Sequence, residues 1–221
     1  MGESSKGAAY APAIVLIVGG VLTLAAMLHH PTMGHQANAS DAAATMTRLA
    51  PMLALVHGML IALLIALLYG VAAFAQRRGL ERPLTMAGLV AFASGLFAML
   101  PAPVLDGFVL SQYASAAHAN PDAMMATFPA IMTFGGMMLL AFAKLGTVLI
   151  SVGIVLFSIG LMHDRGAARW FGLVGVLTVL PAAIAVPTGL IDLNAHGMTL
   201  ITAAWSVWFV GLGVLMLCGR A

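Results

Sequence analysis

Long apolar runs broken by short polar interruptions pattern this chain, and several runs approach the roughly 20 residues needed to cross a hydrocarbon core. The clearest extends from Pro51 to Phe74 and holds a single ionisable side chain, His57. It predicts a spanning helix over about 50–75, and the other runs predict helices over about 11–28, 84–101, 137–162, 170–190 and 197–217. Their ends are marked chemically. The first run stops at His29-His30-Pro31, the second at Gln76-Arg77-Arg78-Gly79, and the third is disturbed by Pro101 and Pro103. Longer polar connections are expected over about 29–49 and 104–126. From Thr127 to Met162 the apolar run would measure about 54 Å as one helix, too long for an ordinary crossing. A division near Gly135-Gly136 is therefore expected, leaving 121–136 either as an interfacial piece or as part of the fourth helix. Pro181 and Pro187 predict kinks in the fifth.

Composition turns this pattern into a fold class. Hydrophobic residues make up 62% of the chain and charged residues 7%, with a mean hydropathy of +1.06. Soluble domains carry about 25% charged residues. The expected fold is all-α: one polytopic integral membrane domain over residues 1–221, a bundle of about six transmembrane helices embedded in a lipid bilayer. His57-Gly58-Met59 recurs as His196-Gly197-Met198, and Gly88-Leu89-Val90 as Gly172-Leu173-Val174, which hints at hairpin repeats.

Charge adds orientation. Lys6, Arg77, Arg78, Arg82, Arg165, Arg169 and Arg220 fall on one side of this topology, Arg48 falls on the other, and Lys144 lies within a helix. Basic residues mark the cytoplasmic side, so both termini are expected there, in a bacterial-type inner (plasma) membrane. The net charge of +2 forms no basic patch, which excludes nucleic acid as a partner. Cys218 stands alone, so an intrachain disulfide and a multi-cysteine metal site are excluded. Lys6 occupies the position where a myristoylation signal wants Ser or Thr, and the first apolar run lacks a clean cleavage site, so it reads as a retained helix.

Candidate chemistry lies on the opposite side. His29, His30, His35, His57, His118 and His196 are all expected at the outer face, and only His163 at the inner. Neutral imidazole is the commonest metal ligand, and thioethers such as Met33, Met46, Met59 and Met198 favour soft Cu(I). The segment His29-His30-x-x-Met33-x-His35 packs four donors into a short loop. His29, His30, Met33, His35, His57, His118 and His196 are thus candidate metal ligands, with copper favoured. His57 and His196, each followed by glycine, are also candidate axial ligands of a b-type haem (heme b). Lys144, deep in a helix, needs an acid, and Asp106 is its expected partner; Asp192 completes the outer set. Phosphate loops, zincin motifs, haem-attachment motifs and nucleophile elbows are absent. The favoured expectation is metal or haem binding at the outer (periplasmic) face, in redox, metal handling or a respiratory-type complex. Set against it are a non-catalytic scaffold or accessory subunit, associating with other membrane subunits or with itself, and a small transporter. Ordinary hydrogen-bonded loop histidines and core-filling methionines would look the same in sequence.

Overall fold

The computed structural model describes residues 3–31 and 36–219, with side chains from Tyr10 onward. Among the described residues, six helices are long and apolar enough to cross a membrane. They are α1 (Glu3–Leu28), α2 (Ala39–Arg78), α3 (Pro83–Ala119), α4 (Phe128–Met162), α5 (Ala167–Ala185) and α6 (Ala195–Leu217). The chain is an all-α polytopic bundle, as its hydropathy pattern requires, because only a helix satisfies every backbone polar group within one apolar segment.

Three helices overrun their expected ends. With 40, 37 and 35 residues, α2, α3 and α4 are about 60, 55 and 52 Å long, whereas α5 and α6, with 19 and 23 residues, match one membrane thickness. Much of the two expected outer connections is therefore helix. The first helical residue of α2 is Ala39, capped by the Asn38 side chain, which accepts from the Asp41 amide at 2.9 Å. Pro51 sits inside the same helix without ending it. Nor does α4 divide at Gly135-Gly136, because Gly135 packs on Leu110 and the helix is held there by α3. The overhanging ends of α2, α3 and α4 enclose a second small core of Ala43, Met46, Leu110, Ala114, Ala117 and Phe128.

Within α3, Pro101 and Pro103 lack the amide hydrogens that an unbroken helix would use. The chain passes through a short turn, Pro101–Val104, and then a π-helical turn, Leu105–Leu110, before resuming as Ser111–Ala119. Such wide turns insert one residue into the helical register and recur at functional sites. Here the turn carries Asp106 and Gly107.

Small residues set the closest contacts of the main bundle. On α3, Gly88 and Gly95 are one heptad apart; on α4, so are Gly146 and Gly153. A methyl group on Gly95 would lie 2.4 Å from the Ile150 nitrogen, and one on Gly153 would lie 2.7 Å from the Phe92 nitrogen. The two backbones touch directly, a geometry that membrane helices obtain from small residues. Facing α4, α6 donates the indole N–H of Trp205 to Ser151 Oγ at 3.1 Å and that of Trp208 to Ser158 Oγ at 3.0 Å. At the end where α2 meets the α4–α5 connection, the buried Arg78 guanidinium pairs with Asp164 and donates to the Gly160 carbonyl at 3.2 Å. Replacing Gly153 with Leu should separate α3 from α4. A loss of about 2 kcal/mol or more is expected, the scale of overpacking, and is read as a lower unfolding midpoint in detergent.

Candidate functional site

His57 lies on the inward face of α2 with 4% of its surface exposed. Twenty-one residues separate it from Arg78, about 31 Å at helical rise, so the two mark opposite ends of one membrane thickness. The ring donates its Nδ1–H to the Leu53 carbonyl at 2.8 Å. That bond assigns the tautomer and leaves Nε2 as the nitrogen facing inward.

Two groups meet that nitrogen. Asp106 Oδ2, from the π turn of α3, is 3.1 Å away, and His30 Nε2, just past the end of α1, is 3.2 Å away. His30 Nε2 and Asp106 Oδ2 are 3.9 Å apart. The imidazole rings meet edge to face, at 89° with centroids 4.9 Å apart. Gly107 makes the approach feasible: a Cβ there would fall 2.5 Å from the Cβ of His57, so any side chain would push α3 from α2. With the Nδ1 proton of His57 committed to the backbone, its Nε2 presents a lone pair to His30 Nε2 and Asp106 Oδ2. A proton on His30 Nε2 or a bound cation satisfies all three atoms at this point. Burial lowers the pKa of His30 and repulsion from His57 adds to this, outweighing the pull of Asp106 and the Pro31 carbonyl towards the charged form.

The cluster forms one wall of a cavity of about 340 Å³. From α2, Leu60 and Leu64 line it below His57; α3 contributes Met99, α4 Ala143, and α6 Met198, Thr202 and Trp205. Thr23, another lining residue, already gives its hydroxyl proton to the Gly19 carbonyl at 2.7 Å. Thr202 is 3% exposed, and its hydroxyl makes no hydrogen bond among the described residues.

Of the residues singled out in the sequence, His30, His57 and Asp106 are brought together. His29 turns away, exposed, and donates to the Ala25 carbonyl at 2.9 Å. His118 near the end of α3, Asp192 before α6 and His196 in the first turn of α6 are also exposed and lie outside the cluster. Met33 and His35 lie outside the described residues. Met46 fills the second core, Met59 is exposed, and Met198 reaches the cavity. The expected Lys144–Asp106 ion pair is absent among the described residues. Asp106, carried on the π turn of α3, instead faces two imidazoles, and Lys144 on α4 is half-buried. Thr202, Trp205 and Gly107 carried no signal of their own in the sequence; only Pro101 and Pro103 marked α3 as irregular.

Fold and hydropathy thus define a multi-pass membrane protein whose apolar helix faces contact lipid. No family model, curated protein or solved structure matches the chain.

Two outcomes follow from this geometry. Replacing Gly107 with Val should displace His57 and lower the unfolding midpoint in detergent, with an overpacking cost of about 1–3 kcal/mol. Because the folded-state pKa of His30 lies below its ordinary 6.5, the unfolded chain binds the extra proton first as pH falls. Stability from His30 is full above about pH 6.5 and is lost as pH falls from there towards the folded-state pKa. His30→Gln should therefore lose less thermal stability than wild type between about pH 7.5 and 5.5 in differential scanning calorimetry.

Proposed function

We propose that this protein binds one divalent transition-metal ion through His30 Nε2, His57 Nε2 and Asp106 Oδ2, with a fourth coordination position open to the cavity. The observation that carries this reading is the spacing of the three atoms, 3.1, 3.2 and 3.9 Å. Ligands at about 2.0–2.1 Å from one tetrahedral ion stand roughly 3.3–3.4 Å from each other, so one small ion suits all three. The Leu53 carbonyl that accepts from His57 Nδ1 supports the reading further, since metal-bound imidazoles usually donate their other N–H in this way. Three protein ligands and an open position favour an ion that acts on something over a purely structural one. Two nitrogens and one oxygen suit Cu(II) or Zn(II), and the general affinity order favours copper where both are offered.

A haem bound through His57 and another imidazole finds less support. Axial nitrogens stand about 4 Å apart across a flat macrocycle. His30 and His57 are closer than this, and their rings meet edge to face. We place the metal end at the periplasmic face of a bacterial inner membrane, with both termini cytoplasmic, because Arg77, Arg78, Arg82, Arg165 and Arg169 gather at the other end. The function is then redox chemistry or metal handling at that face, alone or beside other membrane subunits.

Purified protein exposed to Cu(II) and desalted should retain about one copper per chain by elemental analysis. His57→Ala should abolish retention, and His163→Ala, at the opposite end, should leave it unchanged. No retention by wild type would leave the scaffold reading. For orientation, in a Cys218→Ser background, Ala37→Cys should react with an impermeant thiol reagent added to intact cells and Glu81→Cys should not; the reverse pattern would invert the topology.

A further inference from the structure

We infer that the cavity beside the metal cluster binds a lipid-soluble para-hydroquinone or its quinone, one ring oxygen at the open coordination position and the opposite oxygen at Thr202. The inference rests on the metal-site reading for the first of these contacts and on an independent observation for the second. Thr202 is almost wholly buried and lines the cavity, yet its hydroxyl has no partner among the described residues. A hydroxyl on the cavity lining that no described residue hydrogen-bonds is available to a ligand atom.

The rest of the wall narrows the chemistry. The rest of the lining is apolar and includes Leu60, Leu64, Met99, Ala143 and Trp205, a sleeve that fits a ring. The other polar groups nearby are already engaged: Thr23 bonds to Gly19 and the Trp205 indole to Ser151. A sugar or a phosphate would leave most of its polar atoms unpaired there. A molecule with oxygens at opposite corners of an apolar ring leaves none.

Size and depth agree. Leu64 lies two turns below His57 on α2, and Thr202 lies two turns below Ala195, another lining residue, so the cavity extends about 10 Å into the bundle. A ring with para oxygens, holding a metal bond of about 2 Å at one end and a hydrogen bond of about 2.8 Å at the other, spans roughly 10 Å. The volume of about 340 Å³ lies at the lower end of small-molecule pockets, enough for a substituted ring with its tail leaving between helices.

The test uses zinc-loaded full-length protein in detergent micelles, because zinc is redox-inert, and a decyl-substituted benzoquinone as the probe. Quinones quench indole fluorescence on close approach, and Trp205 lines the cavity. Titration should give saturable quenching, largely lost in Trp205→Phe, which keeps Trp170 and Trp208. Thr202→Val should weaken the apparent affinity about five- to tenfold, the effect of one lost hydrogen bond, and Thr202→Ser should restore it. Stoichiometric zinc without saturable quenching would overturn the quinone inference and leave the metal reading standing. Saturable, Thr202-dependent quenching with no zinc retained would support the quinone site and sink the metal reading. Quenching that persists in Trp205→Phe, or equal affinity in Thr202→Val, would overturn the inference.

Discussion

A histidine inside an apolar helix must find partners for both ring nitrogens, and much of the architecture at this end of the molecule follows from how His57 finds them. Its Nδ1–H is satisfied by its own helix, at the Leu53 carbonyl. Its Nε2 has no such local option and draws on two other helices. Asp106 reaches it from α3 and His30 from the end of α1. Three segments far apart in sequence are thereby tied at one point, one membrane thickness from the Arg78–Asp164 pair that joins α2 to the α4–α5 connection.

That meeting constrains the backbone around it. Asp106 reaches α2 only because α3 is widened by a π turn, and the turn follows two prolines that interrupt regular hydrogen bonding. Gly107 removes the side chain that would otherwise strike His57. The same heptad-spaced glycines bring α3 against α4, so the segment leading to the turn is positioned by backbone contact. The cavity is a consequence. Below the cluster the lining side chains of α1, α2, α3, α4 and α6 leave about 340 Å³ unfilled, with the cluster and Thr202 as its two hydrogen-bonding ends.

The chemistry proposed for this site depends on sharing. Two imidazole nitrogens and a carboxylate oxygen that meet at one point can hold either a proton or a metal ion, and the two compete. His30 is the member whose environment, buried and beside another imidazole, disfavours its own protonation. Such an environment keeps a nitrogen available to an ion at mildly acidic pH, where an ordinary histidine would already be charged.

Hydropathy alone determined the membrane fold, the six helices and their order, because burial in lipid demands helices of a minimum apolar length. It also singled out His57, since an imidazole within an otherwise apolar run is costly wherever the run is buried. The sequence put His30 and Asp106 among several equivalent candidates and had no means of choosing between them: His29 and His30 are adjacent, and one step along the chain past the end of α1 turns one to water and the other inward. The ends of α2 and α3 read as loops because of their polar residues and prolines, and α4 read as divided because of its length and the Gly135-Gly136 pair, whereas packing in a second core keeps all three helical. Asp106 was assigned to Lys144 by charge, yet its partners are set by the register shift of a π turn that no periodicity reveals. The cavity and the free hydroxyl of Thr202 belong wholly to tertiary structure, because an unfilled volume is a property of how helices meet and not of any one of them.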